Sequence, residues 1–333
     1  MKIEYKGEYY EIKSSEADCF SVTGKNGELG LLASGKPNTW RLSPVNPSLN
    51  ADENVFLALY AFFTLYHSYS NEVYIAADEN LIRNVTLPVE INKENLSLSA
   101  DRTTFWQIKE PWLVNSSPEW PLSYLRNQVI RRPPAPAPGT VLYRRWIPSL
   151  EETISFVAFD ISKHIPLFHE WQNNPRVNYF WSEAGTMDAH IQYIQKMQND
   201  PHCYSVIGYF NDQPFGYFEI YWVPEDRLAP FAQPLHAHDR GFHALVGNEK
   251  LRGPHRVPVW ISSITHMLFL MDCRTQRVLL EPRIDNHKFI QYLTRENYAK
   301  RLEFNFPHKR AAMMEITRTM FFTCIGPRVQ TEN

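Results

Sequence analysis

The sequence predicts an α/β fold, a sheet flanked by helices, preceded by a smaller α/β domain. Three observations carry that expectation. The stretch Arg131-Arg132-Pro133-Pro134-Ala135-Pro136-Ala137-Pro138-Gly139 has prolines that fix φ and remove amide donors, so it is extended and reads as a linker. Beyond it the order of apolar patterns is strand, helix, helix, three or four strands, long helix, strand, helix, strands. At 333 residues and 44% hydrophobic, the chain is also long enough for two domains with full cores. The expected division is an N-terminal domain over 1–130, a linker over 131–140 and the main domain over 141–330.

The first 130 residues are weakly patterned. Met1–Ile12 reads as a short hairpin and Glu28–Leu32 as a strand. Asp52–His67 has the length and composition of a buried helix, with Asp52 and Glu53 well placed against its N-terminal dipole. The remainder, to about Tyr124, reads as strands and loops with Trp106, Trp112 and Trp120 as packing anchors. No chemistry there outweighs a structural role.

Past the linker, Tyr143–Ile147 and Glu152–Ala158 read as strands. Ile161–Asn173 is a helix despite Pro166, and Thr186–Asn199 is a second, amphipathic one. A hairpin follows: Ser205–Phe210, a turn at Asn211-Asp212-Gln213-Pro214, then Phe215–Val223. Gly241–Val246 is a strand ending at Gly247. Gly253-Pro254-His255-Arg256 opens a long helix through Met271, with Pro254 where a first turn needs no amide hydrogen. Arg277–Leu280 is a strand, Asp285 or Asn286 caps a helix to about Glu296, and a last strand pair lies near Leu302–Phe306 and Thr319–Cys324. A strand that feeds a loop and a helix N-terminus is a common phosphate site.

Composition narrows the function. Thirty-four Lys and Arg nearly balance 36 Asp and Glu, so no global basic field for nucleic acid or an anionic membrane exists. Cys19, Cys203, Cys273 and Cys324 are isolated, without zinc-site or disulfide-framework spacing. His236, His238 and Asp239 cluster in a Pro-flanked loop without a further ligand signal. The opening residues lack the apolar core of a signal peptide, and the apolar stretch Val55–Tyr66 is short of the ~20 residues a membrane span needs. The expected location is the cytoplasm, with no membrane partner.

Ten segments after the linker stand in a specific order. They are Asn174-Pro175-Arg176-Val177, Tyr179-Phe180-Trp181, Gln213-Pro214-Phe215, Tyr217-Phe218-Glu219-Ile220-Tyr221-Trp222 and Glu225-Asp226-Arg227. Then come Asp239-Arg240-Gly241-Phe242-His243-Ala244-Leu245-Val246-Gly247, Arg252-Gly253, Thr275-Gln276-Arg277, Glu281-Pro282-Arg283-Ile284-Asp285-Asn286 and Phe304-Asn305-Phe306-Pro307-His308-Lys309-Arg310. In that order they resemble the GNAT acyltransferase superfamily, and within it the hydroxamate-siderophore branch typified by the aerobactin-pathway N-hydroxylysine acetyltransferases.

The resemblance implies a mixed, splayed central sheet that admits acyl-CoA as co-substrate, as acetyl-CoA or succinyl-CoA, and needs no metal. It assigns the coenzyme to Leu245, Val246 and Gly247 on a strand, to Arg252, Gly253 and His255 on the following loop, and to Asn286. Lys250 and His255 stand where the superfamily loop usually carries Gln or Arg and Gly or Ala. The implied acceptor is the hydroxylamine nitrogen of an N-hydroxylated lysine, N-hydroxyputrescine or N-hydroxycadaverine. Such a nitrogen is largely uncharged at neutral pH, unlike a lysine ammonium near ~10.4, and its acylation gives a hydroxamate for iron acquisition. His243 is the first candidate for base or hydrogen-bond partner and Asp285 the second; a satisfied core histidine and a helix cap remain their alternatives. Trp181, Glu183, Tyr217 and Glu219 are assigned to the acceptor pocket, where an acid would pair with a distal ammonium. His308 is placed near the acyl group, the coenzyme phosphates or an acceptor carboxylate. Arg283, Lys309 and Arg310 are the cations available to a second carboxylate. A siderophore synthetase is an implied partner, and the oligomeric state is left open. Acetylation of an ordinary amine, or non-catalytic docking to a synthetase, stand as alternatives.

Overall fold

A computed structural model describes residues 1–16, 19–33, 39–66, 72–115, 120–124 and 130–326. Two compact units emerge, Met1–Pro111 with Trp146–Glu152, and Trp112–Arg145 with Thr153 onward. His67, placed by the sequence at the end of a helix, lies outside the described residues.

The first unit is an eight-stranded sheet with helices. Its strands are β1 (Lys2–Tyr5), β2 (Glu8–Glu16), β3 (Cys19–Gly24), β4 (Gly27–Ala33), β5 (Thr39–Leu42), β6 (Glu72–Ala76), β7 (Glu90–Asn92) and β8 (Ser97–Asp101). They pair in the order β1-β2-β3-β4-β5-β6-β8-β7. The expected hairpin is β1–β2, in register from Lys2↔Glu11 to Tyr5↔Glu8. Helix α1 (Ala51–Leu65) is closed at its start by a capping box: Asn50 accepts from the Glu53 amide and Glu53 accepts from the Asn50 amide. Val55 to Phe63 are buried all round, which accounts for a run apolar on every face. Short helices α2 (Glu79–Asn84) and α3 (Arg102–Phe105) complete the unit.

In the second unit, strands β9 (Val141–Ile147) and β10 (Glu152–Ala158) lead to helices α4 (Ile161–Gln172), α5 (Pro175–Trp181) and α6 (Met187–Gln198). There follow β11 (Cys203–Phe210), β12 (Gln213–Trp222), β13 (Arg240–Val246), α7 (Val257–Met271), β14 (Arg277–Leu280), α8 (His287–Arg295), β15 (Ala299–Asn305) and β16 (Arg310–Thr317). The sheet order is β15-β16-β14-β13-β12-β11-β10-β9. From β10 to β15 the neighbours pair antiparallel except β13–β14, so the sheet is mixed. On one face Phe168, Trp171, Val177 and Ile194 of the three preceding helices pack on Ile207, Tyr217 and Leu245. On the other, Phe218 meets Trp260 of α7 edge-on at 5.6 Å. A strand covered on both faces reads as an unbroken apolar run, as β12 does.

Three expectations need correction. The long helix begins at Val257, not at Gly253, because Gly253 sits at φ +147° and Arg252 is extended; Pro258 occupies the first turn instead. The last strand is Arg310–Thr317 rather than Thr319–Cys324, since Thr317 caps the Met320 amide and turns the following residues helical. Pro175–Trp181, which carried only a motif in the sequence, is a helix with Pro175 in its first turn and Asn174 capping Arg176.

The proline-rich segment is not a free tether. Arg132 is buried, gives two hydrogen bonds to Glu225 at 2.9 and 3.0 Å, and stacks over Trp222. Upstream, Trp112–Asn115 runs along β9: the Arg144 amide donates to the Trp112 carbonyl, Val114 to Leu142, and Leu113 bridges Tyr143. Residues from Trp112 therefore group with the second unit, ahead of the division expected at 130. No helix among the described residues is long and apolar enough to cross a membrane.

Candidate active site

The β12–β13 ladder is complete from Gly216↔Val246 to Trp222↔Arg240, whereas β13 and β14 share only Arg240↔Val278. Past that bridge β13 stays with β12 while β14 pairs with β16, and the sheet splits. The split opens a cleft of about 580 Å³ whose walls include Arg176, Trp181, Leu245, Val246, Arg252 and Gly253. At its end lies the first turn of α7, which has no side-chain cap; the Arg256 and Val257 amides donate to the Gly253 carbonyl and Pro258 has no amide hydrogen. Gly253 is required there, since a Cβ would stand 2.6 Å from the His255 ring and φ is +147°.

Arg176 fixes the strand end. Its guanidinium donates to the Val246 carbonyl at 2.8 Å, while its buried Nε has no hydrogen-bond partner and only a long ion-pair contact to Glu249 at 3.8 Å. Burial, then the neighbouring Arg252, hold its pKa below the usual arginine range. A glycine turn and a cleft-lining arginine with a spare buried donor fit a ligand carrying phosphates and amides, as acyl-CoA does. Arg176→Ala is expected to raise KM for acyl-CoA by about tenfold or more, the scale of one hydrogen bond to a charged group; initial rates at varied acyl-CoA check it.

A second cavity of about 230 Å³ lies beside the cleft and shares Phe180, Trp181, Ala244, Asn286 and Phe289 with it. Its floor is a chain of three ionisable groups. His243 Nδ1 lies 2.9 Å from Glu219 Oε2, and its Nε2 lies 2.7 Å from Glu281 Oε1. Strand pairing sets the first contact, because Glu219 and His243 are directly opposite on β12 and β13. The split sets the second, with Glu281 just past the end of β14.

Tyrosines hold the outer carboxylate oxygens. Tyr193 and Tyr217 both donate to Glu219 Oε1, and Tyr221 donates to Glu281 Oε2 at 2.7 Å. Lys309 donates to the Glu281 backbone carbonyl at 2.8 Å and stands 3.5 Å from its Oε1. Burial alone would push the His243 imidazole down, but the two carboxylates outweigh it and raise it to about 10. Burial also opposes ionisation of Glu281, yet His243 and Lys309 hold it well below the carboxylate range; Glu219 is likewise held down by His243. At neutral pH the floor is carboxylate, imidazolium, carboxylate.

The expected site residues fall into three places. Leu245, Val246, Arg252, Gly253 and Asn286 line the larger cleft. Gly247 and His255 do not. Gly247 is packed so tightly on Trp171 that a Cβ would lie 2.1 Å from its ring, and His255 is exposed on the turn. Gly247→Ala is therefore expected to cost about 1–3 kcal/mol of stability, the range for overpacking, readable as a fall in thermal midpoint. Asp285 faces the cleft clasped by Arg283 at 2.7 and 3.1 Å, with Tyr179 also donating to it. Arg283 first, then Tyr179, hold it low. The cap of α8 is Asn286 instead, accepting from the Phe289 amide.

The smaller cavity takes Trp181, Glu219, His243 and His308. Glu219 is spent on His243 and two tyrosines, so it does not offer itself to an acceptor ammonium as the sequence suggested. Tyr217 is buried beneath it. His308 stacks on Phe306 at the rim. Sequence reasoning missed Glu281 as a partner of His243, along with Tyr193, Tyr221 and Arg176. Glu281 and Arg176 lay inside segments already singled out, but only the split sheet brings them to the site. Of the His236, His238 and Asp239 cluster, Asp239 is buried and paired with Arg277.

Comparison with known proteins agrees with this architecture. Residues 160–306 match the family described as acetyltransferase (GNAT) domain. A Schizosaccharomyces pombe protein provisionally named a lysine N-acyltransferase is 56% identical over 97% of this chain and 98% of its own length. The Escherichia coli protein named N(6)-hydroxylysine O-acetyltransferase is 38% identical over 68% of this chain and 72% of its own. A Beauveria bassiana N(5)-hydroxyornithine:cis-anhydromevalonyl coenzyme A-N(5)-transacylase is 44% identical over 62% of this chain but only 45% of that protein. An uncharacterized Bacillus halodurans protein of known structure, 23% identical, superposes with a TM-score of 0.52 over 56% of this chain and 94% of its own, and shows the fold. Near-full-length identity with one relative, and the domain match over residues 160–306, establish that the chain belongs to the GNAT acetyltransferase family, whose members draw their acyl group from acyl-CoA.

Proposed function

We propose that this protein acylates the hydroxylamine nitrogen of an N-hydroxylated amine, forming a hydroxamate for siderophore biosynthesis. The observation that carries the reading is the Glu219–His243–Glu281 chain. Both imidazole nitrogens are engaged by carboxylates and the ring is protonated at neutral pH. A lysine ammonium would need a base to strip a proton before attack, and this imidazole is not free to take one. A hydroxylamine arrives neutral. Its nitrogen forms the new C–N bond, the C–S bond breaks, and the nitrogen proton, strongly acidic once the nitrogen turns positive, passes to the carboxylates of the chain. The thiolate leaves beside the imidazolium, whose charge stabilises it; with an ordinary pKa near ~8.5, below that of the ring, it takes its proton from the newly protonated carboxyl and the imidazolium keeps its own.

The cavity of about 230 Å³ suits one small metabolite and not an antibiotic, being below the ~300–1,000 Å³ usual for drug-sized ligands. The relatives named for N(6)-hydroxylysine and N(5)-hydroxyornithine support the same acceptor class. The name of the Schizosaccharomyces pombe relative favours a second reading, acylation of unmodified lysine. Thiol release from acetyl-CoA and succinyl-CoA decides, with N-hydroxylysine, N-hydroxyornithine, N-hydroxyputrescine, N-hydroxycadaverine and the parent amines as acceptors. Turnover confined to the hydroxylamines is expected; turnover of the parents at equal rates would sink the proposal. Docking to a siderophore synthetase belongs to the same reading and is tested by co-purification.

A further inference from the structure

The cations the sequence offered to a carboxylate are already committed. Arg283 clasps Asp285, Lys309 serves Glu281, and Arg310 pairs with Glu303. Arg227 is different. It lines the acceptor cavity, lies over the Phe306 ring at 5.3 Å, and makes no ion pair among the described residues. Glu183 lines the same cavity, and its carboxylate accepts no hydrogen bond among the described residues. Glu183 sits in the turn joining α5 to α6, and side chains pin that turn. Asn173 exchanges hydrogen bonds with the Gly185 amide and carbonyl, Asn178 accepts from the Ala184 amide, and His190 Nε2 bonds the Glu183 carbonyl. A cation and an anion, both unpaired, thus share the wall of one small pocket whose floor is the Glu219–His243–Glu281 chain.

We propose that Arg227 and Glu183 form the head-group site of the acceptor, Arg227 taking a carboxylate and Glu183 an ammonium, so that the acceptor is an N-hydroxylated α-amino acid and not a diamine. This rests on the hydroxylamine-acylation reading and deepens it. Arginine offers a planar fork matched to a carboxylate. Burial, then the charge of Glu219, push the Glu183 carboxyl up, so an arriving ammonium relieves it. His308 adds a donor at the rim beside Arg227 without a competing charge, since burial, Arg227 and Lys309 all push its pKa down. A carboxylate could instead arrive on the acyl group, as in succinyl-CoA, and the experiment separates the two sources.

The test compares acceptors that differ only by that carboxylate: N6-hydroxylysine against N-hydroxycadaverine, and N5-hydroxyornithine against N-hydroxyputrescine. The wild-type protein is expected to favour the amino acid at least about tenfold in kcat/KM. Arg227→Gln should lower kcat/KM for the amino acid about 10- to 100-fold, mainly through KM, and leave the decarboxylated partner unchanged. Glu183→Gln should weaken both members of each pair, since both carry the ammonium. Equal wild-type turnover of the pair overturns the assignment, as does an Arg227→Gln loss common to both members. A lost preference for succinyl-CoA over acetyl-CoA, with acceptor choice intact, also overturns it and moves the carboxylate to the donor. If only unmodified amines turn over, the hydroxamate reading fails by itself, and lysine against cadaverine puts the same question to Arg227.

Discussion

His243→Gln is expected to lower kcat by about 10²- to 10³-fold, the range for losing a preorganised group that stabilises developing negative charge, with acyl-CoA binding retained. The same substitution leaves Glu219 and Glu281 facing one another without the cation between them. Both are buried, so one must take up a proton or the site must open. Removing one partner of a buried ion pair costs about 3–5 kcal/mol, and that penalty should depend on pH with a definite sign. In the wild-type protein His243 titrates at about 10 when folded and near ~6.5 when unfolded. Its contribution is complete below the unfolded value and fades as pH rises toward the folded one. Glu281, held low, contributes above the unfolded carboxylate range and loses this only as pH falls through its depressed folded value. Wild-type stability should thus start to decline only above about pH 6.5. In His243→Gln a carboxyl is raised in the folded state, so stability should already decline from about pH 4.5 upward. Urea midpoints at pH 4.5 to 8 check this; parallel curves would show that the carboxylates do not depend on the imidazolium.

Glu281→Gln is expected to cost about 100-fold in kcat, and it probes the other end of the chain. With one carboxylate gone, burial is no longer overcome so fully and His243 should titrate well below about 10. The Nδ1 contact to Glu219 survives, so the ring stays in place with a changed proton affinity. A histidine ring resonance followed by NMR should move its midpoint toward neutrality, and the pH–rate profile should gain an ionisation there. A midpoint unmoved from about 10 would mean that Glu219 alone holds the charge.

Much of the second unit was legible because its patterns are long and local. β12 and β13, and the helices α4, α6 and α8, sit within a few residues of where periodicity and caps put them. His243 stood out as a lone histidine in an apolar strand. Its meaning did not, because Glu219 is 24 positions away and Glu281 is 38, joined only by strand register and by the split. Asp285 looked like a second base or hydrogen-bond partner, or a cap, and is clasped by Arg283, a contact two residues away that no periodicity encodes. The first unit was read as scattered strands because its strands are short and alternate weakly; eight of them close one sheet only through pairings across the chain.

The segment Trp112–Asn115 on the flank of β9 bears on how this protein could be shortened. β9 is the terminal strand of its sheet, and these residues occupy its outward amides and carbonyls. A chain begun at the proline-rich run would keep every residue of the two cavities and still bare a strand edge carrying Leu142 and Tyr143. Bare edges recruit other strands, so such a fragment should self-associate into β-rich aggregates, whereas one begun ahead of Trp112 should stay dispersed.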